Sequence, residues 1–202
     1  MQWNKMQGLS VILTSGDSGV AARSTDDGNA DGCPGTGEVF NPDFPASCTY
    51  LTAVGVTYLP PDSSAVKKQE IAVTRFPSSG GISNIYAQPS YQKSTLATYF
   101  SQHDLGYKSY STSRTNHLPA VTTNGGIYNR AGRGYPDVSA VGDNVLIYNT
   151  GVPTITGGTS VSALVFATTL NRSTSRDLLS AKRLWALSIL LWALLPLCQF
   201  MH

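Results

Sequence analysis

A nine-residue apolar run constrains the fold more than any other stretch of the sequence. Residues 51–59 read LTAVGVTYL and carry no charge. Strands of this composition are buried on both faces, which is typical of parallel sheets covered by helices. The run therefore predicts an α/β fold, in which Pro60 and Pro61 end the strand.

A second segment joins a β-branched run to a helix through two glycines. Residues 154–163 read TITGGTSVSA, and a helix is predicted over residues 160–170. A helix N-terminus carries unpaired N–H groups and the positive end of the helix dipole, and both favour developing negative charge. Ser160 is therefore a candidate nucleophile for acyl transfer. The alternative is that Ser160 only caps the helix.

A third segment presents one carboxylate in a tight turn. Residues 8–14, GLSVILT, predict a buried strand, and residues 15–19, SGDSG, follow as a glycine-flanked turn. Asp17 lies at the tip of this turn and is the second candidate site residue.

Five short motifs, two of which contain Asp17 and Ser160, follow one another along the chain. They are residues 15–19 (SGDSG), 44–48 (FPASC) with 52–55 (TAVG), 79–83 (SGGIS), 132–140 (GRGYPDVSA) and 157–162 (GGTSVS). In this order they resemble the motifs of the sedolisin family, the serine-carboxyl peptidases that include fungal tripeptidyl-peptidases. The resemblance covers residues 1–171. It implies an α/β, subtilisin-like fold with a largely parallel sheet flanked by helices, which we expect to be incomplete at both ends.

The resemblance gives a role to both candidate residues. It implies that Ser160 is the nucleophile and that Asp17 lies in the oxyanion hole. A carboxylic acid donates a hydrogen bond only while it is protonated, whereas an ionised Asp17 would repel the intermediate. The implied reaction is therefore hydrolysis of peptide bonds at acidic pH through an acyl-enzyme on Ser160, with peptides or proteins as substrates.

The same resemblance implies a base that the sequence does not supply. In the family, a glutamate and the aspartate that orients it lie on a helix well before the Asp17 motif. The two glutamates of this chain, Glu38 and Glu70, both follow Asp17. We therefore expect the 202-residue chain to be inactive as it stands. The alternative function is that of a truncated, non-catalytic fragment that at most binds peptides.

Two other serine-peptidase patterns can be compared through the order of their residues. Chymotrypsin-like enzymes would use Ser18 as the nucleophile, and their histidine and aspartate precede that serine. In this chain the histidines all follow it: His103, His117 and His202. A subtilisin pattern would need His103 or His117 as the partner of Ser160, and it leaves the SGDSG motif unexplained.

The glycine-rich run at Ser79, Gly80 and Gly81 is a candidate substrate-binding segment. The resemblance places it close to the catalytic cleft, where glycines allow close backbone approach. The alternative is a flexible loop without contact to a substrate.

Cys33 and Cys48 are a candidate disulfide pair. In a secreted protein, a bridge closing a loop of this size would add on the order of 3 kcal/mol, mostly through the unfolded state. In a cytosolic protein they would be ordinary thiols, since their spacing is not that of a zinc or redox pair.

The net charge and the family resemblance indicate which binding partners and cofactors to expect. The formal net charge is +2 and basic residues cluster only within residues 172–183, so we expect no binding to nucleic acid. The resemblance implies a secreted protein, although residues 1–7 do not resemble a signal peptide, and we expect a monomer. It also implies a calcium ion near the C-terminus of family members, beyond any matching segment, so no metal ligand is assigned here.

Residues 172–202 stop resembling the family and form a second, hydrophobic region. Residues 184–201 carry no charge and are borderline in length for a membrane span. A membrane anchor is one interpretation. We favour an out-of-frame translation, because codons can be chosen for residues 180–192 so that a shifted frame reads GKTAVGFVNPAL, which resembles the family after the nucleophile helix. Membrane association is then not expected.

Overall fold

The computed structural model describes residues 9–21, 39–61, 69–111 and 125–179. Within these ranges the strands are β1 (Ile12–Thr14), β2 (Thr52–Tyr58), β3 (Ile71–Ala72), β4 (Gly81–Ala87), β5 (Ser109–Tyr110), β6 (Tyr128–Asn129), β7 (Gly132–Tyr135), β8 (Val138–Val141), β9 (Val145–Asn149) and β10 (Val152–Thr156). The helices are α1 (Lys93–Gln102) and α2 (Thr159–Leu179), and a 3-10 turn at Ser90–Gln92 leads into α1.

The strand predicted from the apolar run is the centre of the main sheet. β2 pairs in parallel with β1 and β8, and its last two residues pair with the short antiparallel β3. Val54 is paired with both Thr14 and Val138, so β1 and β8 lie on opposite edges of β2. The prediction of an α/β fold with a largely parallel sheet is confirmed.

Helix α2 packs on this sheet, against β1, β2 and β8. Residues 53–57 of β2 are all buried. Val54 and Val56 have essentially no exposed surface, and each such side chain contributes about 1.5 to 3 kcal/mol through burial. The packing holds the first turn of α2 where β1 and β8 end.

Smaller sheets lie beside the main one. β4 pairs with β7 and β9 with β10, both antiparallel, and β5 pairs with β6 in parallel. Helix α1 contributes Leu96 to a buried cluster with Ile82 and Tyr128. Leu96, Tyr99 and Phe100 recur along α1 at helical spacing, and Leu96 and Tyr99 are its buried residues.

A buried ion pair ties the GRGYPD motif to the start of β2. Arg133 has no exposed surface, and its guanidinium contacts Asp137 Oδ2 at 2.5 Å. The same guanidinium donates to the carbonyl oxygens of Ala46 (2.9 Å) and Leu51 (3.3 Å). Asp137 Oδ2 also accepts a hydrogen bond from Ala53 N (2.8 Å). These contacts give the motif a structural role in fixing the sheet.

Two predicted elements have different bounds in the structure. The strand predicted over residues 8–14 is confined to Ile12–Thr14, where it meets β2. The helix predicted over residues 160–170 extends over Thr159–Leu179, across the boundary expected after residue 171.

The rest of the hydrophobic region, residues 180–202, lies outside the described residues. Across the described ranges, no helix combines the length and the apolar character that a membrane span requires. The out-of-frame origin of residues 172–202 stays a prediction.

Candidate active site

The Asp17 loop (residues 15–19) is fixed by Ser79. The buried Ser79 donates its backbone N–H to Gly16 O (2.8 Å), and its Oγ accepts a hydrogen bond from Ser18 N (2.9 Å). Asp17 lies between these two contacts, and it is exposed. The loop therefore presents a carboxyl group to solvent from an anchored backbone.

Gly16 is required in this loop by backbone conformation and by space. Its φ is +103°, in the region that favours glycine. A methyl group on its Cα would overlap Asp43 and would lie 2.9 Å from Ser79 Oγ. The glycine thus permits the close approach of Ser79 to the loop.

Ser160 stands in the first turn of α2, which the end of the main sheet holds in place. Gly158 N donates to Gly142 O (2.9 Å), and Gly142 N donates to Thr57 O of β2 (3.0 Å). The Gly158 carbonyl accepts a hydrogen bond from Val161 N (3.0 Å), which opens the helix. Ser160 is exposed and lies at the positive end of the helix dipole.

Thr159 connects the two candidate residues. It is fully buried and donates to Asp17 Oδ1 from its N and its Oγ1, both at 2.9 Å. Since a hydroxyl has one hydrogen to donate, Thr159 Oγ1 acts as the acceptor for the hydroxyl of Thr14 and for Gly16 N (3.2 Å). The end of β1 thereby holds Thr159, and Thr159 holds Asp17 beside Ser160.

The other oxygen of Asp17 and the amide of Ser160 both lie near the Cα of Gly158. A methyl group on Gly158 Cα would lie 3.3 Å from Asp17 Oδ2 and 3.9 Å from Ser160 N. Because residue 158 is glycine, no side chain of its own occupies that position. In its neutral form Asp17 can donate a hydrogen bond beside the N–H of Ser160, and two donors next to a serine are the arrangement that stabilises an oxyanion.

The remaining acid–base candidates have other partners. The carboxylate of Glu70 accepts a hydrogen bond from Thr57 Oγ1 (2.7 Å). The ring of His103 lies 5.2 Å from that of Tyr99 at the end of α1. Glu38, His117 and His202 lie outside the described residues. Of the predicted catalytic groups, the structure therefore brings together Asp17 and Ser160.

The predicted substrate-binding residues are largely covered. Ser79 and Gly81 are buried, and Gly80 is half-buried. The hydroxyl of Ser79 supports the Asp17 loop and does not face solvent. Substrate binding by these three residues stays a prediction, and the half-buried backbone of Gly80 is the part that could serve it.

The predicted disulfide involves one described residue. Cys48 is buried in a cluster with Ala53 and Tyr135, and its thiol is free in this structure. Cys33 lies outside the described residues. The Cys33–Cys48 bridge therefore stays a prediction.

Two residues of this site, Thr159 and Thr14, were missed by the sequence analysis. Thr159 directly precedes Ser160 within its motif, and Thr14 directly precedes the Asp17 loop. Their partnership spans 145 positions, however, and contacts at such a separation leave no local periodicity in the sequence.

Comparisons with known proteins find relatives of this chain. The chain is 52% identical over 174 residues to tripeptidyl-peptidase sed1 of Aspergillus fumigatus, and 44% identical over 173 residues to aorsin of Aspergillus oryzae. These alignments cover 85% and 83% of this chain but only 26% of each relative. The chain therefore spans about a quarter of the length of the curated relatives it matches. No model of a protein family matches it.

A solved structure shares the fold. Pseudomonas sedolisin, described as a serine-carboxyl proteinase, aligns with a TM-score of 0.55 at 23% identity. The alignment covers 86% of this chain and 41% of the sedolisin chain. The likeness confirms the subtilisin-like fold for the matched part.

Proposed function

We propose, on the premise that this chain belongs to the sedolisin family and holds part of its catalytic domain, that it supplies the nucleophile and the oxyanion donor of a serine-type peptidase. The observation that carries the proposal is the pair of hydrogen bonds from Thr159 to Asp17, which joins segments 142 positions apart next to Ser160. The relative from Aspergillus fumigatus is named as a tripeptidyl-peptidase, so peptides are the substrate class we propose.

In the proposed reaction, Ser160 Oγ attacks the carbonyl carbon of a peptide bond and the carbonyl oxygen becomes an oxyanion. Neutral Asp17 donates a hydrogen bond to that oxygen from the proton on its Oδ2. The N–H of Ser160 donates a second one. Cleavage of the C–N bond leaves an acyl-enzyme on Ser160, which water hydrolyses. Removal of one such donor typically lowers kcat by about 10² to 10³. Because Asp17 donates only as the neutral acid, the reaction is proposed to run in acid.

The reaction also needs a base to take the proton of Ser160 and pass it to the leaving amine. Glu70 accepts a hydrogen bond from Thr57, and the family resemblance implies a base on a helix before the Asp17 motif. We propose that the 202-residue chain is inactive by itself and that activity requires that preceding segment. A non-catalytic fragment that binds peptides is the second candidate, and the engagement of Glu70 elsewhere favours it for the chain alone.

The proposed setting follows the family. The protein would be secreted and monomeric, would act on peptides or proteins, and would bind neither nucleic acid nor membranes. Calcium is expected for the family, but the described residues contain no group of three histidine, cysteine, aspartate or glutamate side chains that could hold a metal ion. No calcium ligand is proposed among them, and no step of the reaction is assigned to calcium.

A chimera tests the proposal. The 174-residue matching segment of tripeptidyl-peptidase sed1 is replaced by that of this chain, which puts Asp17 and Ser160 into the context of the complete relative. We expect acid-dependent peptide cleavage that Ser160→Ala abolishes. Ser18→Ala, which removes the rival nucleophile, should keep measurable activity.

Two results would overturn the proposal. One is a folded chimera without activity when the parent enzyme is active under the same conditions. The other is activity that survives Ser160→Ala and is lost with Ser18→Ala.

A further inference from the structure

An ion pair outside the oxyanion site lies beside the turn that leads to Ser160. Arg75 donates from Nε to Asp143 Oδ1 (3.0 Å) and contacts the same oxygen through a second guanidinium nitrogen. The side chain of Asp143 is 4% exposed, whereas that of Arg75 is 56% exposed and lies over the ring of Phe76. A buried carboxylate is thus paired with an arginine that reaches it from the solvent side.

This pair packs against the nucleophile turn (residues 157–160). A methyl group on Gly157 Cα would overlap both Asp143 Oδ1 and the guanidinium of Arg75, and would lie 3.1 Å from Asp143 Cα. The two side chains are therefore in close contact with the backbone of the turn. The turn cannot shift toward them unless the ion pair opens.

Each member of the pair belongs to a segment that already supports the site. Asp143 directly follows Gly142, whose carbonyl oxygen accepts a hydrogen bond from the nucleophile turn (2.9 Å). Arg75 precedes Pro77, whose carbonyl oxygen accepts a hydrogen bond from the Asp17 loop (3.2 Å). The ion pair therefore joins the segment behind the nucleophile turn to the segment behind the Asp17 loop.

We infer that Arg75 and Asp143 are positioning residues that hold the nucleophile turn at a fixed place relative to the Asp17 loop. They contact Gly157 and act on Ser160 through the backbone, so they take no part in the chemistry. Their effect on catalysis rests on the proposed function, whereas their effect on the turn does not. An ordinary surface ion pair would have no such local effect.

Hydrogen exchange of the full chain, followed by mass spectrometry, tests this inference. In Arg75→Ala we expect amides in residues 157–162, among them that of Gly158, to exchange about tenfold faster than in the unsubstituted chain. Amides of β2 should exchange at unchanged rates, because the sheet does not depend on the pair. Arg75→Lys, which keeps the charge, should restore most of the protection.

A matched control uses another arginine. Arg130 lies over the ring of Phe100 at 4.2 Å, within a separate part of the fold, so Arg130→Ala should leave residues 157–162 unchanged. Unchanged exchange of the turn in Arg75→Ala, or an equal increase in Arg130→Ala, would overturn the inference.

The partner residue and the activity provide separate readouts. Asp143→Asn should also raise the exchange rates of the amides in residues 157–162. In the double variant with Arg75→Ala, these rates should be no higher than in either single variant. If Asp143→Asn fails to fold, the exchange measured in Arg75→Ala still tests the inference, because Arg75 is exposed. In the active chimera, Arg75→Ala should lower kcat with little change in KM. Equal activity would show that the pair does not position Ser160 for catalysis. Failure of the peptidase proposal would leave the exchange result standing, since exchange does not depend on activity.

Discussion

Thr159 donates two hydrogen bonds to a single oxygen of Asp17, from its backbone N and from Oγ1, each at 2.9 Å. Because Oδ1 is occupied as an acceptor, the proton of a neutral Asp17 belongs on Oδ2. That oxygen is the closer of the two to the position that a methyl group on Gly158 would take. The neighbour of the proposed nucleophile thus determines which oxygen of the acid can donate to an oxyanion.

Thr159→Val should destabilise the chain by about 1 to 3 kcal/mol, because the hydroxyl of Thr14 and the amide of Gly16 lose a buried acceptor. Denaturant unfolding measures the change. Thr169→Val on the exposed face of α2 is the matched control and should change stability by less than about 0.5 kcal/mol. Equal effects of the two substitutions would contradict a structural role for the Thr159 hydroxyl.

Arg133→Met should be far more destabilising than the same change at Arg130. Removal of the buried guanidinium leaves Asp137 without its partner, at a cost of about 3 to 5 kcal/mol. Arg130 is exposed, and its contact with Phe100 is worth about 0.5 to 1 kcal/mol. The two variants are compared by thermal and denaturant unfolding, and similar losses would show that the buried pair does not stabilise the fold.

The stability contributed by Asp143 should depend on pH in a defined direction. Its hydrogen bond with Arg75 lowers the pKa of Asp143 below the ordinary value. A carboxyl group with a lowered folded-state pKa stabilises the fold above its unfolded pKa of about 3.9, and this contribution is lost as the pH falls through the folded-state pKa. The stability difference between the unsubstituted chain and Asp143→Asn should therefore be level near neutrality and shrink below about pH 4. A difference that grows on acidification would contradict this assignment.

That pH dependence bears on the proposed mechanism. Because the pKa of Asp143 is lowered, its ion pair with Arg75 persists in mild acid and keeps the nucleophile turn in place where the acid reaction is proposed to run. Positioning and acid catalysis are then compatible at the same pH.

The Cys33–Cys48 bridge should form when the chain is produced through an oxidising secretory route. A bridge of this loop length would stabilise the protein by about 3 kcal/mol. Peptide mapping without reductant should recover one cross-linked peptide pair, and reduction before digestion should separate it. Recovery of both cysteines as free thiols would contradict the predicted bridge.

Local patterns predicted the parts of the fold that depend on local composition. The apolar run at residues 51–59 corresponds to β2, and the helix predicted over residues 160–170 corresponds to the first half of α2. Asp17 and Ser160 were found because each follows a strand with a glycine turn. The contacts that join these parts, such as Arg75 with Asp143, depend on the folding of distant segments onto one sheet. No spacing along the chain encodes them, so the structure was needed to find them.

The exposed hairpin of β9 and β10 shows a further limit. The β-branched run before the two glycines lies in β10, which pairs with β9. Apolar strand residues usually indicate burial, yet Leu146, Tyr148 and Ile155 are 58%, 73% and 60% exposed. The presence of a strand could thus be predicted from such residues, whereas the exposure of their side chains could not.

The pH profile of Asp17→Asn tests the central claim most directly, since the claim is that Asp17 acts as a neutral hydrogen-bond donor beside Ser160. The measurement is kcat/KM for a peptide in the active chimera and its Asp17→Asn variant, across acidic to neutral pH. An amide donates at any pH, so the activity of the variant relative to the parent should rise as the pH approaches neutrality. Profiles of the same shape for both proteins would contradict the assignment of Asp17 as the oxyanion donor.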